Sequence, residues 1–94
     1  MNSELHKLID QCKSGTRESQ KNLYFLTITK LKIVLMRYWK ELHDAEDVIQ
    51  STFLKIFENI HQYDSNKGDF YHWANRILIN EYFQLLRSRK KLVV

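Results

Sequence analysis

The sequence contains no proline, two glycines and one cysteine. With no proline to end a helix and few glycines to form turns, breaks between elements must be rare, which excludes a sandwich or barrel of many short strands. The lone Cys12 allows neither an internal disulfide nor a cysteine-built zinc cage, so the framework of a small secreted protein is excluded. No apolar run approaches the roughly 20 residues that span a bilayer. Residues 1–10 mix charges where a signal peptide would be apolar. Together these absences predict a soluble, cytoplasmic protein with no membrane partner. A chain of 94 residues buries about 60 to 65 per cent of its unfolded surface, enough for one core, and large multidomain enzymes are excluded.

Charge is present but unevenly placed. Residues 1–64 carry nine basic and nine acidic side chains, whereas residues 65–94 carry six basic ones (Lys67, Arg76, Arg87, Arg89, Lys90, Lys91) against Asp69 and Glu81. The whole net charge of +4 therefore sits in the last third. Such an end is an electrostatic footprint for nucleic acid, although a lysine-rich helix terminus that complements its own dipole has the same composition.

Apolar residues recur at three- and four-residue spacing, which predicts an all-α fold, a compact bundle of about four helices in one domain. Ser3 caps a first helix to about Lys13, and Gly15 ends it. Thr16 caps a long second helix whose expected core stripe is Tyr24, Ile28, Leu31, Leu35, Tyr38, Trp39 and Leu42, with Lys30, Arg37 and Glu41 facing away. Asp44 is the expected cap of a third helix reaching about Gln62, with Glu46 and Asp47 in the first turn where the dipole favours acids. The segment 63–68 is rich in turn formers, and Asp69 caps a fourth helix from Phe70 to about Lys90.

Two helix faces depart from a plain bundle. On the third, Val48, Ile49, Thr52, Phe53, Ile56 and Ile60 share one side, and Asp47, Gln50, Ser51, Leu54 and Glu58 share the other. Leu54 is thus an apolar residue on a polar face, either a lone exposed leucine or the anchor of a helix-docking surface. On the fourth, Phe70, Ala74, Ile77, Leu78 and Leu85 form the inward stripe, with Glu81 near its centre. Trp73, Arg76, Asn80, Gln84, Arg87 and Lys91 form a second stripe of guanidinium, amide and aromatic groups. These are the groups that grip phosphates, read base edges and stack on bases, though a solvated helix face also uses them.

The run from Asp44 to Gln50, then Phe53-Leu54-Lys55, Phe70, Trp73, Arg76-Ile77, Asn80 and Leu86-Arg87 resembles the second conserved region of extracytoplasmic-function (ECF) sigma factors. These are promoter-recognition subunits of bacterial RNA polymerase within the sigma-70 family, and the resemblance runs from about Ser14 to Lys91. It implies a role in transcription initiation with no catalysis and no cofactor or metal. It places Asp47, Gln50, Ser51 and Leu54 against the coiled coil of the beta-prime subunit of core RNA polymerase. Where the family usually carries an acid, Ser51 leaves one fewer charge to pair with basic residues there. The resemblance also implies capture of the non-template strand of the minus-ten promoter element. Tyr63 and the loop 64–69, including Asn66, Lys67 and Gly68, would hold a flipped base. Arg76, Asn80, Phe83 and Gln84 would hold the upstream part. By their charge, Arg87, Arg89, Lys90 and Lys91 are suited to gripping phosphates, and Trp73 lies on the same stripe as Arg76 and Asn80. Many relatives have an anti-sigma partner. Family members normally continue into a helix-turn-helix domain that reads the minus-thirty-five element. The 94 residues include no such segment, and the expectation is an excised region 2 domain.

Other chemistries are thinly supported. Glu58 and His61 have the Glu-x-x-His spacing of di-iron bundles, but those sites need a second such pair and two further helical glutamates. Cys12 lacks an orienting acid or an oxyanion site and reads as a small buried hydrophobe. His6, His43 and His72 show no ligand spacing. A helical protein-interaction module would share the bundle and Leu54, but would have no need of Trp73, Asn80 and Gln84 on one stripe.

Overall fold

The computed structural model describes residues 3–38 and 42–92. The chain forms α1 (Ser3–Lys13), α2 (Arg17–Tyr38), α3 (Leu42–Asn59), a 3-10 turn (Ile60–Gln62) and α4 (Phe70–Leu92). The all-α bundle expected from the periodicity is present, with no strand among the described residues.

Local chemistry sets the breaks. Gly15 takes φ +85°, a left-handed conformation that costs other residues energy, and its N–H reaches the Cys12 carbonyl at 2.9 Å. Thr16 then caps α2: its Oγ1 accepts from the Ser19 N–H at 3.2 Å, and Ser19 Oγ donates to the Thr16 carbonyl at 2.8 Å. Asp69 caps α4 through Oδ2, which accepts from the Tyr71 N–H at 3.0 Å. Two boundaries differ from expectation. Helix α3 begins at Leu42, so Asp44 lies inside its first turn, and the α-helix ends at Asn59 before a tighter 3-10 turn.

The core joins all four helices: Leu5, Ile9 and Cys12 from α1, Leu23, Leu31 and Leu35 from α2, Val48, Ile49, Phe53 and Ile56 from α3, and Phe70, Ala74 and Leu78 from α4. The six inward positions expected on α3 are all buried. On α2 the buried line is Ser19, Leu23, Thr27, Leu31 and Leu35, and Tyr24 and Ile28 are only half-buried. Tyr38 is 56 % exposed, and Leu42 belongs to α3. The buried line steps every four residues and takes in two polar side chains, Ser19 and Thr27, in a helix that packs against α1, α3 and α4. Thr27 tolerates burial because its hydroxyl donates to the Leu23 carbonyl at 2.8 Å, and Thr52 does the same to Val48 at 2.7 Å. Trp39 and Glu41 lie outside the described residues, as do the side chains of Ser3, Leu42, His43, Asp44 and 89–92.

Candidate nucleic-acid interface

The loop between the 3-10 turn and α4 is built around Tyr63. Its ring is 4 % exposed, edge-on to Phe70 at 5.5 Å between centroids and tilted against Trp73 at 5.4 Å. Its hydroxyl donates to the Gly68 carbonyl at 3.0 Å, closing the loop on itself. Inside the loop, Asp64 Oδ1 accepts from the Asn66 N–H at 2.9 Å and its carbonyl from the Lys67 N–H at 3.0 Å, an Asx turn. From outside, Lys13 Nζ donates to the Tyr63 carbonyl at 2.9 Å. Burial pushes the Tyr63 phenol above its ordinary pKa, and the Asp69 and Asp64 carboxylates push in the same direction. The phenol therefore stays protonated and able to donate.

A hollow of about 180 Å³ opens beside this loop, lined by Tyr63, Lys67, Gly68 and Asp69 on one side and His72, Trp73 and Arg76 on the other. That is below the roughly 300 Å³ of a drug-sized site and suits one flat ring system. His72 and Arg76 also border a second hollow of about 320 Å³, with Asn75, Ile79 and Asn80. Beyond it Phe83, Gln84 and Arg87 continue along α4 in solvent. Of the residues expected to hold nucleic acid, Tyr63, Lys67, Gly68, Trp73 and Arg76 meet in the loop hollow, and Arg76 and Asn80 meet in the second. Asn66 is exposed in the loop but lines neither. Arg89 and Lys90 lie on the last turns of α4, and their side chains are not among those described. Glu81, near the centre of the inward stripe, is half-buried.

On α3, Asp47 and Gln50 are exposed, Ser51 is half-buried, and Leu54 is 64 % exposed. Most of the polar face is therefore exposed among the described residues, with one apolar residue, Leu54, at its centre. His61 is exposed in the 3-10 turn and Glu58 on the helix before it, so the pair does not share a regular α-helical face.

The sequence that builds α3, the loop and α4 matches a known family. The sigma-70 region 2 family aligns with residues 27–92. The chain belongs to that family. Similar proteins include ECF sigma factors. It is 28% identical to the ECF RNA polymerase sigma factor SigW of Bacillus subtilis over 96% of this chain and 48% of that protein. It is 30% identical to SigM of the same species over 76% of this chain and 42% of that protein. With SigE of Mycolicibacterium smegmatis it shares 36% over 53% of this chain and 19% of that protein. The chain thus spans about half, or less, of the relatives it matches. No solved structure matches it significantly. No helix among the described residues is long and apolar enough to cross a membrane.

Reading the sequence missed two contributors to the region 2 surface. His72 borders both hollows, and one signal for it was available: it sits one turn before Arg76 on the same face. Asn75 lies at the opposite edge of α4 from Trp73, where periodicity marks only a core rim.

Proposed function

We propose that this region 2 captures the opened non-template strand of a minus-ten promoter element and docks through α3 on the beta-prime coiled coil of RNA polymerase. One observation supports the DNA half: the loop hollow and the hollow at Asn80 share His72 and Arg76 on their borders, next to the exposed stripe of α4. Extruding a base costs a few kcal/mol, and stacking on an aromatic wall returns about 1 to 3 kcal/mol. One pocket therefore nearly balances the cost, and phosphate contacts must tip it. Arg76 and Arg87 serve that purpose, with a grip that weakens as salt rises. Tyr63, pinned at its hydroxyl and its carbonyl, is a fixed wall; Trp73, only partly covered, offers the face on which a base stacks. Asn80 and Gln84 supply base discrimination, worth about 1 to 3 kcal/mol for each bidentate contact. The domain works by binding energy alone, with no covalent step.

Trp73 reports directly on this reading. In a Trp39→Phe variant it is the one remaining tryptophan. Single-stranded DNA carrying the element should quench its fluorescence, and the same sequence as a closed duplex should not. Equal quenching by both, or none by the single strand, contradicts the reading.

A further inference from the structure

The loop hollow and the hollow at Asn80 have two lining residues in common, His72 and Arg76 of α4. Four positions apart, they lie one above the other on a single helix face, with Cβ atoms about 5–6 Å apart. Both are exposed, and neither side chain makes a hydrogen bond or ion pair among the described residues. Charges of both signs surround them. The loop brings the Lys67 cation and the carboxylates of Asp64 and Asp69, which already accept from the Asn66 and Tyr71 N–H groups. The Tyr63 phenol beside them keeps its proton. Lys13 of α1 is engaged with the Tyr63 carbonyl, Lys30 and Arg37 of α2 border neither hollow, and α3 lines neither. His72 also stands in the first turn of α4, where the helix dipole opposes a positive charge.

We infer that His72 and Arg76 together hold the phosphate joining the base in the loop hollow to the next nucleotide, and that His72 does so as its imidazolium. A base in one hollow and its neighbour in the other leave their linking phosphate over the residues that the hollows share. Arg76 is charged at every working pH, whereas imidazole changes charge between about pH 5 and pH 8. The charged ring can donate from either nitrogen and attracts the phosphate; the neutral ring keeps one donor and loses the attraction. In the free domain Lys67, Arg76 and the helix start oppose the imidazolium, and Asp64 and Asp69 favour it. An arriving phosphate adds to the favourable side. Binding therefore takes up a proton, and the strand is held more tightly as pH falls. Because it meets only the backbone, this contact is blind to base identity and leaves the reading of bases to Asn80 and Gln84. It rests on the single-strand reading proposed above and adds a proton-dependent grip at a residue given no role there.

The test follows a short single strand carrying the minus-ten element as it binds the full chain, by fluorescence anisotropy. Affinity should be about fivefold higher near pH 6 than near pH 8, and the logarithmic salt slope steeper by about 1 at the lower pH. His72→Gln, at an exposed position, should remove both effects and hold affinity at the high-pH level, while His61→Gln keeps them. Replacing the strand's phosphates one at a time by neutral methylphosphonates should abolish the pH effect at one internal linkage only. A pH effect that survives His72→Gln, or that no single linkage abolishes, overturns the shared phosphate site. Binding that is equal at the two pH values overturns it as well and leaves the loop site standing. Failure of the strand to bind the unaltered chain at either pH overturns the single-strand reading and the phosphate site with it.

Discussion

Lys13 and Tyr63, fifty residues apart, are joined by a 2.9 Å hydrogen bond from the lysine ammonium to the tyrosine carbonyl. The end of α1 is thereby tied to the first residue of the loop. Tyr63 in turn holds Gly68 through its hydroxyl, so a single residue sets both ends of the loop hollow. Lys13→Met should leave the core intact and lower single-strand affinity several-fold, although Lys13 does not line the hollow. Tyr63→Phe should cost about 1 kcal/mol of stability, the net worth of one hydrogen bond. Thermal unfolding and oligonucleotide titration of both variants check this; unchanged affinity in both would mean the loop does not need its pins.

Leu54 is exposed at the centre of the α3 polar face. Leu54→Asp should change stability by no more than about 0.5 kcal/mol, as surface substitutions do. It should also reduce binding to core RNA polymerase at least tenfold, as loss of a central interface anchor does, with single-strand binding untouched. A pull-down with purified core enzyme reads the outcome, and normal retention of the variant removes α3 from the docking account.

Tyr63 and Tyr71 both have phenol pKa values raised, first by burial and then by nearby carboxylates, Asp69 in each case and Asp64 for Tyr63. The folded state therefore keeps these protons at pH values where the unfolded chain has released them. The stability this confers is complete below the unfolded value near 10 and is lost as pH rises through the folded values. Alkaline titration followed by phenolate absorbance should show a late-ionising component that coincides with unfolding. Tyr63→Phe should shrink that component, and an unchanged late phase would contradict the burial of its hydroxyl.

Much of this architecture was legible in the residues. Gly15, Thr16 and Asp69 mark breaks because each has local chemistry that acts without tertiary help: a left-handed backbone at Gly15, and side-chain acceptors for orphan N–H groups at the other two. The α3 face was equally clear, since one side of that helix meets the core from Ala45 to Ile56. Helix α2 was misread because two of the five residues on its buried line, which steps every four positions, are the polar Ser19 and Thr27, and apolar periodicity passes over them. Tyr63 appeared in the sequence as a candidate for touching DNA. Its place as a buried, doubly held wall depends in part on Lys13, fifty residues away, and a contact of that range leaves no local signal. Asn75 was invisible for the same reason, since its place depends on how α2 and α4 lie against each other.

The central claim is that α4 reads bases and grips phosphates with different residues. Affinity for single-stranded minus-ten DNA and for permuted sequences, each at two salt concentrations, tests it in unaltered, Asn80→Ala and Arg87→Ala chains. The account predicts that Asn80→Ala compresses the difference between sequences, by about 1 to 3 kcal/mol at its base, with the salt dependence unchanged. Arg87→Ala should weaken all sequences alike and lower the logarithmic salt slope by about 1. Uniform loss of affinity on every sequence in Asn80→Ala would contradict the claim.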